Sequence, residues 1–153
     1  EIKRITSFSV DHDFITPGIY VSRIDGDITT YDLRTRKPNC DDYIDDITMH
    51  SVEHMLATYL RNSAIGDKVI YFGPMGCRTG CYILMFGDLI SEDVFVLLVD
   101  MCDFIISFEG DIPGAAPEQC GNYSEQNLNI AKYYISKYKK QLLENRSFEY
   151  TLL

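Results

Sequence analysis

An α+β fold, with an antiparallel β-sheet packed against α-helices in two layers of a single domain, is the architecture that this sequence predicts. Three observations predict it. Two runs rich in Ile, Val, Thr and Tyr meet at Asp25-Gly26, a dipeptide suited to a tight hairpin turn. Apolar residues repeat at helical spacing between residues 48 and 62 and again in the last third of the chain. No repeat, low-complexity tract or Pro/Gly/Ser-rich linker divides the 153 residues, whose 46% hydrophobic content is enough for one core. Strands joined by short hairpins favour an antiparallel sheet over a doubly wound one.

Taken in order, Gly18 to Asp25 and Asp27 to Arg34 form the first hairpin. Strand alternation puts Tyr31 and Leu33 on one face and Asp32 and Arg34 on the other, so Arg34 can face a site while the strand keeps its core contacts. Thr48 to Asn62 is a helix with Val52, Met55, Leu56, Tyr59 and Leu60 as its apolar stripe. At about 100° per residue, His50, His54 and Arg61 fall opposite that stripe, with Glu53 at its edge. Lys68 to Phe72 and Gly80 to Phe86 are two further strands, and the connection between them puts Cys77 in a tight, glycine-flanked turn. Ser91 is placed to cap the next helix, with Glu92 and Asp93 in its first turn and Gly110 as its stop. After an irregular segment, Ser124 is placed to cap a last helix whose Leu128, Ala131, Ile135, Tyr138 and Leu142 form a stripe.

The net charge of -9 argues against a nucleic-acid partner, because phosphate-tracking surfaces concentrate Lys and Arg. The longest apolar run, Val94 to Val99, ends at Asp100 and is far too short to span a bilayer. Glu1-Ile2-Lys3-Arg4 lacks the apolar stretch of a signal peptide. Five cysteines at irregular spacings fit a reducing cytoplasm better than a disulfide framework. Of these, Cys40, Cys81 and Cys102 read as structural.

The chemistry concentrates in His50-Ser51-Val52-Glu53-His54, an H-x-x-E-H pattern that sets two imidazoles one helical turn apart on a polar face, able to chelate one divalent ion. A catalytic ion takes a third protein ligand and keeps an open position. Between the two remaining candidates, His12 and Cys120, the thiolate is the better, and Gly121 lets the backbone approach closely. Cys77, followed by Arg78, suits a nucleophile or proton carrier whose pKa a cation lowers. At this level a peptidase using Glu53 to activate water, a closed structural metal module and a lyase all remain open.

Several segments together resemble the S-ribosylhomocysteine lyase family, which produces the precursor of autoinducer-2. They are Ser7-Phe8 with Asp11-His12, Thr30-Tyr31-Asp32-Leu33-Arg34, Pro38-Asn39, and the His50 to His54 pattern. They continue with Gly73-Pro74-Met75-Gly76-Cys77-Arg78-Thr79-Gly80 and Cys120-Gly121-Asn122-Tyr123, in the family's order over almost the whole chain. The resemblance implies His50, His54 and Cys120 as metal ligands and Glu53 and Cys77 as the two acid/base residues. It also implies Ser7, His12, Arg34 and, as a looser match, Arg61 around the substrate. It further implies a homodimer with sites at the subunit interface, and ferrous iron as the native ion, replaceable by zinc or cobalt.

The implied reaction releases homocysteine and 4,5-dihydroxy-2,3-pentanedione from S-ribosylhomocysteine without net redox change, a step in quorum-sensing autoinducer synthesis and the activated methyl cycle. Moving a carbonyl from C1 to C3 of the ribose requires repeated removal and return of carbon-bound protons through enediolates, whose oxyanions a Lewis acid stabilises. The thioether sulfur then leaves C5 by β-elimination. A thiolate at Cys77 is a reasonable base for the carbon protons, with Arg34 as a cation beside it and Glu53 moving protons among oxygens or at the elimination. Two positions depart from the family pattern: Gln126 stands where many members have histidine, and Cys81 where an aromatic is common.

Overall fold

Gly26 takes a φ of 59°, and the chain reverses there between β1 (Gly18–Asp25) and β2 (Ile28–Arg34). In the computed structural model, which describes residues 1–40 and 43–153, β3 (Val69–Pro74) and β4 (Gly80–Phe86) complete a four-stranded sheet. The order is β1-β2-β4-β3, and every neighbouring pair is antiparallel. Three helices join it: α1 (Asp46–Asn62), α2 (Ser91–Ser107) and α3 (Leu128–Asn145). This is the expected α+β architecture in one domain.

The register explains which face is buried against the helices. Ile19 pairs with Leu33, Leu33 with Cys81, Tyr31 with Ile83 and Ile83 with Phe72, so these side chains share the inner face. They enter one core with Val52, Met55, Leu56 and Leu60 of α1, Val94, Leu98, Met101 and Ile105 of α2, and Ala131, Ile135, Tyr138 and Leu142 of α3. Each fully buried Leu, Ile or Met contributes about 1.5–3 kcal/mol relative to exposure.

Helix starts differ from the sequence expectation, for one reason. α1 begins at Asp46, two residues before Thr48, because the Asp45 carboxylate accepts the Thr48 amide at 2.7 Å and caps the turn. Ile90, not Ser91, occupies the cap position of α2 and makes no side-chain cap; Ser91 is the first helical residue. Asn127, not Ser124, caps α3, accepting the Ile130 amide at 3.1 Å, while Ser124 lies in a single 3-10 turn, Tyr123–Glu125. β3 begins at Val69, since Lys68 closes another 3-10 turn. Propensity marks several Ser, Thr, Asn and Asp residues as possible caps, and packing selects among them.

The outer face of the sheet holds Asp32 and Arg34, as alternation predicts, yet neither is open to solvent. The two chain ends cross over them: Val10 bridges Leu152, Ser147 O accepts the Ile19 amide at 3.0 Å, and Tyr150 stacks on Tyr20 with ring centroids 4.6 Å apart. Val10, Ile15 and Tyr20, with Tyr150 against them, form a second, smaller apolar cluster there. Asp32 is left 1% exposed and Arg34 3%.

Candidate active site

Two groups of chemistry-bearing side chains are assembled. The first lies at the N-terminal half of α1, where His50 and His54 stack edge to face with centroids 4.7 Å apart. Cys120, delivered by the loop before α3, brings its Sγ to 3.3 Å from His50 Nε2, and one ligand atom from each of the three residues lies within 4.8 Å of the others. Zn–N bonds of roughly 2.0–2.1 Å and Zn–S of roughly 2.3 Å put tetrahedral ligands about 3.5 Å apart, so the set fits a divalent ion.

The imidazoles are also oriented. His54 Nδ1 lies 2.8 Å from Pro113 O, and His50 Nδ1 lies 2.5 Å from Glu125 Oε1. Both partners accept, so each Nδ1 carries the proton and each Nε2 lone pair is left for a metal. Gly114 makes the first contact possible: its φ is +79°, and a Cβ there would stand 3.1 Å from His54 Nδ1. Ser51, inside the H-x-x-E-H stretch, is buried and structural; its hydroxyl donates to Ile47 O and accepts the Asn127 amide, both at 2.8 Å, tying α3 to α1.

The second group surrounds Cys77, in the turn from β3 to β4. Met75 N donates to Gly80 O and Arg78 N to Met75 O, closing the turn, and it is Arg78, not a glycine, that takes the left-handed φ of 62°. The Ile44 amide donates to Arg78 O at 3.1 Å, which anchors this turn beside the start of α1. Gly80 has no room for a side chain, because a Cβ would lie 2.3 Å from Leu33 O; β2 and β4 thus close tightly around Arg34 and Thr79. A cavity of about 190 Å³ opens over Cys77 and is lined by His12, Pro38, Asn39, Tyr43, Arg78 and Thr79.

Behind Cys77 lies a buried polar chain. Arg34 Nη2 donates to Asp32 Oδ2 at 2.7 Å, Tyr150 Oη donates to the same oxygen at 2.6 Å, and Arg34 Nη1 donates to Thr79 Oγ1 at 2.8 Å. Thr79 Oγ1 is 3.0 Å from Cys77 Sγ. Burial alone pulls the Arg34 pKa down, but the charges of Asp32, Cys77 and Tyr150 outweigh it and the net shift is upward. Burial lifts Asp32 above the usual carboxylate range, against the opposing pull of Arg34 and Tyr150.

The other sequence candidates are distributed around these groups. His12 joins the Cys77 cavity with its Nδ1 held 2.9 Å from Val10 O. Glu53 is half-buried and close enough to β4 for its charge to raise the Cys81 thiol, which burial pushes up to about 12. Ser7 lines a separate groove of about 370 Å³ on the outer sheet face with Thr30, Tyr71 and Tyr82. Arg61 stands at the far end of α1, donating to Val69 O at 2.5 Å and Ile70 O at 3.0 Å. Glu125, Thr79 and Tyr150 were given no role from the sequence, and Asp32 only a place on the face of Arg34; the contacts of Glu125 with His50, Tyr150 with Asp32 and Thr79 with Arg34, all distant in sequence, reveal their parts.

Comparison with known proteins gives the assembly a family. A chain described as S-ribosylhomocysteine lyase from Clostridium beijerinckii is 46% identical over 149 residues, 94% of each chain. Chains of the same description from Phocaeicola vulgatus and Borreliella burgdorferi are each 47% identical over 149 residues, covering 94% of this chain and 92% and 94% of theirs. The family profile described as S-Ribosylhomocysteinase (LuxS) matches residues 5–149, and the chain belongs to that family.

Proposed function

We propose that residues 1–153 act as one metal-dependent S-ribosylhomocysteine lyase domain, releasing homocysteine and 4,5-dihydroxy-2,3-pentanedione, the autoinducer-2 precursor. The carrying observation is the convergence of His50, His54 and Cys120, with both imidazoles turned to offer Nε2. Three protein ligands suit a catalytic site that keeps a position for substrate. An ion bound there supplies Lewis acidity where the ribose oxygens develop negative charge.

The chain's own residues divide the proton work. Cys77, as thiolate, takes and returns the carbon-bound protons of the ribose, and Arg34 opposite it is a fixed cation that favours the charged sulfur. Glu53 moves protons between oxygens and at the elimination, from its place between α1 and β4. His12 at the rim of the Cys77 cavity and Ser7 in the neighbouring groove bind substrate hydroxyls or the amino-acid end. Tyr82 borders that groove and feels the charges of Asp32, Arg34 and Cys77, which links the two spaces. Arg61 is included among the substrate contacts on the resemblance alone, because its guanidinium is engaged by β3 carbonyls.

A homodimer with the site at its interface is part of this reading. The 190 Å³ cavity is smaller than the roughly 300–1,000 Å³ typical of small-molecule sites, so a second chain would complete it. Ile5, Phe8, Ile24, Tyr71 and Phe86 are large apolar side chains exposed on the N-terminal segment and the sheet, available for that contact. Ferrous iron is proposed as the native ion, with zinc or cobalt as substitutes, since a His2Cys set accepts all three. A reducing cytoplasm is the proposed location, where Cys77 and Cys120 stay free thiols; among the described residues no helix is long and apolar enough to cross a membrane. Incubating anaerobically purified, metal-replete protein with S-ribosylhomocysteine should release free thiol stoichiometrically. No release from such a sample would overturn the proposal.

A further inference from the structure

We propose that Thr79 is the positioning residue that holds Cys77 as a thiolate, its hydroxyl passing the polarity of the buried Asp32–Arg34 pair to the sulfur. The inference deepens the reading of Cys77 as proton carrier and rests on it. A guanidinium only donates hydrogen bonds, so Thr79 Oγ1, 2.8 Å from Arg34 Nη1, must accept there. That fixes the rotor of the hydroxyl. Its single proton is turned from Arg34, and Cys77 Sγ at 3.0 Å is the acceptor it meets among the described residues.

The parts that hold this geometry are rigid. Thr79 is 2% exposed, and its carbonyl accepts the amides of Thr35 at 2.9 Å and Arg36 at 3.0 Å, so its backbone cannot drift from β2. Its branched Cβ restricts χ1. Arg34 is fixed from behind by Asp32, which Tyr150 fixes in turn. The left-handed turn at Arg78 folds Cys77 back over Thr79. Donors therefore point one way along the chain from Arg34 to the sulfur, and the last one arrives at Sγ. A thiol offers little to such a donor, whereas a thiolate is a charged acceptor and makes the stronger bond. Arg34 supplies the charge; Thr79 supplies the contact.

The test needs no substrate. Alkylation of Cys77 by iodoacetamide is followed against pH in the metal-loaded protein, with the modified peptide identified by mass spectrometry so that Cys40 and Cys120 do not contribute. In Thr79→Val, which keeps the side chain's shape and removes the hydroxyl, the midpoint of the profile should rise by about one pH unit, a roughly tenfold loss of thiolate below it. Thr79→Ser should return the midpoint close to that of the unaltered protein. Should Thr79→Val not fold, Thr79→Ala also lacks the hydroxyl and serves the same comparison. An unmoved midpoint in the hydroxyl-free variant, or a serine variant shifted as far as the valine one, overturns the proposal. A shifted midpoint with normal lyase turnover would uphold the bond and sink the proton-carrier role of Cys77 instead.

Discussion

Replacing Glu125 tests whether the carboxylate behind His50 belongs to the metal centre. Its Oε1 lies 2.5 Å from His50 Nδ1 and is the hydrogen-bond partner which that nitrogen has among the described residues. Glu125→Ala lets the ring protonate or turn either way, so the Nε2 lone pair is offered to the ion only part of the time. Partners of this kind are worth about 10–100-fold in metal affinity, or about 1.4–2.7 kcal/mol. The side chains of His50 and Glu125 are 19% and 24% exposed, so solvent screens the pair in part and a loss of about tenfold is expected. Glu125→Gln still accepts from Nδ1–H but has no charge, and should fall between the alanine variant and the unaltered protein. Competition for zinc or cobalt against a chromophoric chelator measures this directly, with thermal unfolding of the metal-free protein as control. Equal metal affinity in the alanine variant would refute the role given to Glu125.

The same geometry leads to further expected outcomes. Cys77→Ser should lower thiol release by at least about a hundredfold while metal content stays unchanged; normal turnover in a metal-replete variant would remove Cys77 from the mechanism. Gly114→Ala combines a φ of +79° with a Cβ 3.1 Å from His54 Nδ1, and should cost about 1–2 kcal/mol of stability and weaken metal binding; an unchanged urea midpoint would contradict this. Cys81 and Cys102 are both pushed up by burial to about 12 from an ordinary 9.0, so the folded protein keeps protons that the unfolded chain gives up. Their stabilisation is complete below about pH 9 and is lost as pH rises toward 12, with a slope of up to about 1.4 kcal/mol per pH unit for each thiol. Urea titrations across that range should show a shallower decline in Cys81→Ala and Cys102→Ala, and an unaltered slope would count against it.

The sheet and helices were legible because their signals are local. Tyr31 and Leu33 alternate with Asp32 and Arg34, and the stripe from Val52 to Leu60 has a helix period, so each element announces its buried face. The gathering of His50, His54 and Cys120, a cluster that could hold a metal ion, was legible for a similar reason: His50 and His54 lie one turn apart, and thiolate chemistry with Gly121 beside it favoured Cys120 over His12. What the sequence did not show depends on long-range contact. Glu125 reaches His50 across 75 residues, Tyr150 reaches Asp32 across 118, and Pro113 meets His54 across 59. The burial of Arg34 belongs to this class, since alternation assigns a face but cannot say that the chain ends will cover it. Ser91 and Ser124 failed as caps because Ile90 and Asn127 sit where packing begins the helices.

That burial carries a cost which stability alone does not explain. A buried ion pair rarely contributes much, because desolvation offsets the attraction, and apolar replacements of such pairs are often neutral or stabilising. Here the pair is not even fully satisfied: Asp32 Oδ1 and Arg34 Nε have no hydrogen-bond partner among the described residues, each a burden of about 1–3 kcal/mol. Lifting Asp32 above the usual carboxylate range is the same burden seen as a pKa. Keeping a cation against Cys77 accounts for the arrangement. Asp32 and Tyr150 hold Arg34 from one side, and the upward shift of its pKa means that it stays charged wherever the protein is folded. Alkaline loss of turnover is therefore expected from groups other than Arg34, whose guanidinium remains a positive neighbour of Cys77. The buried pair is best understood as a constant field at the sulfur, with Thr79 as the hydrogen bond that delivers it.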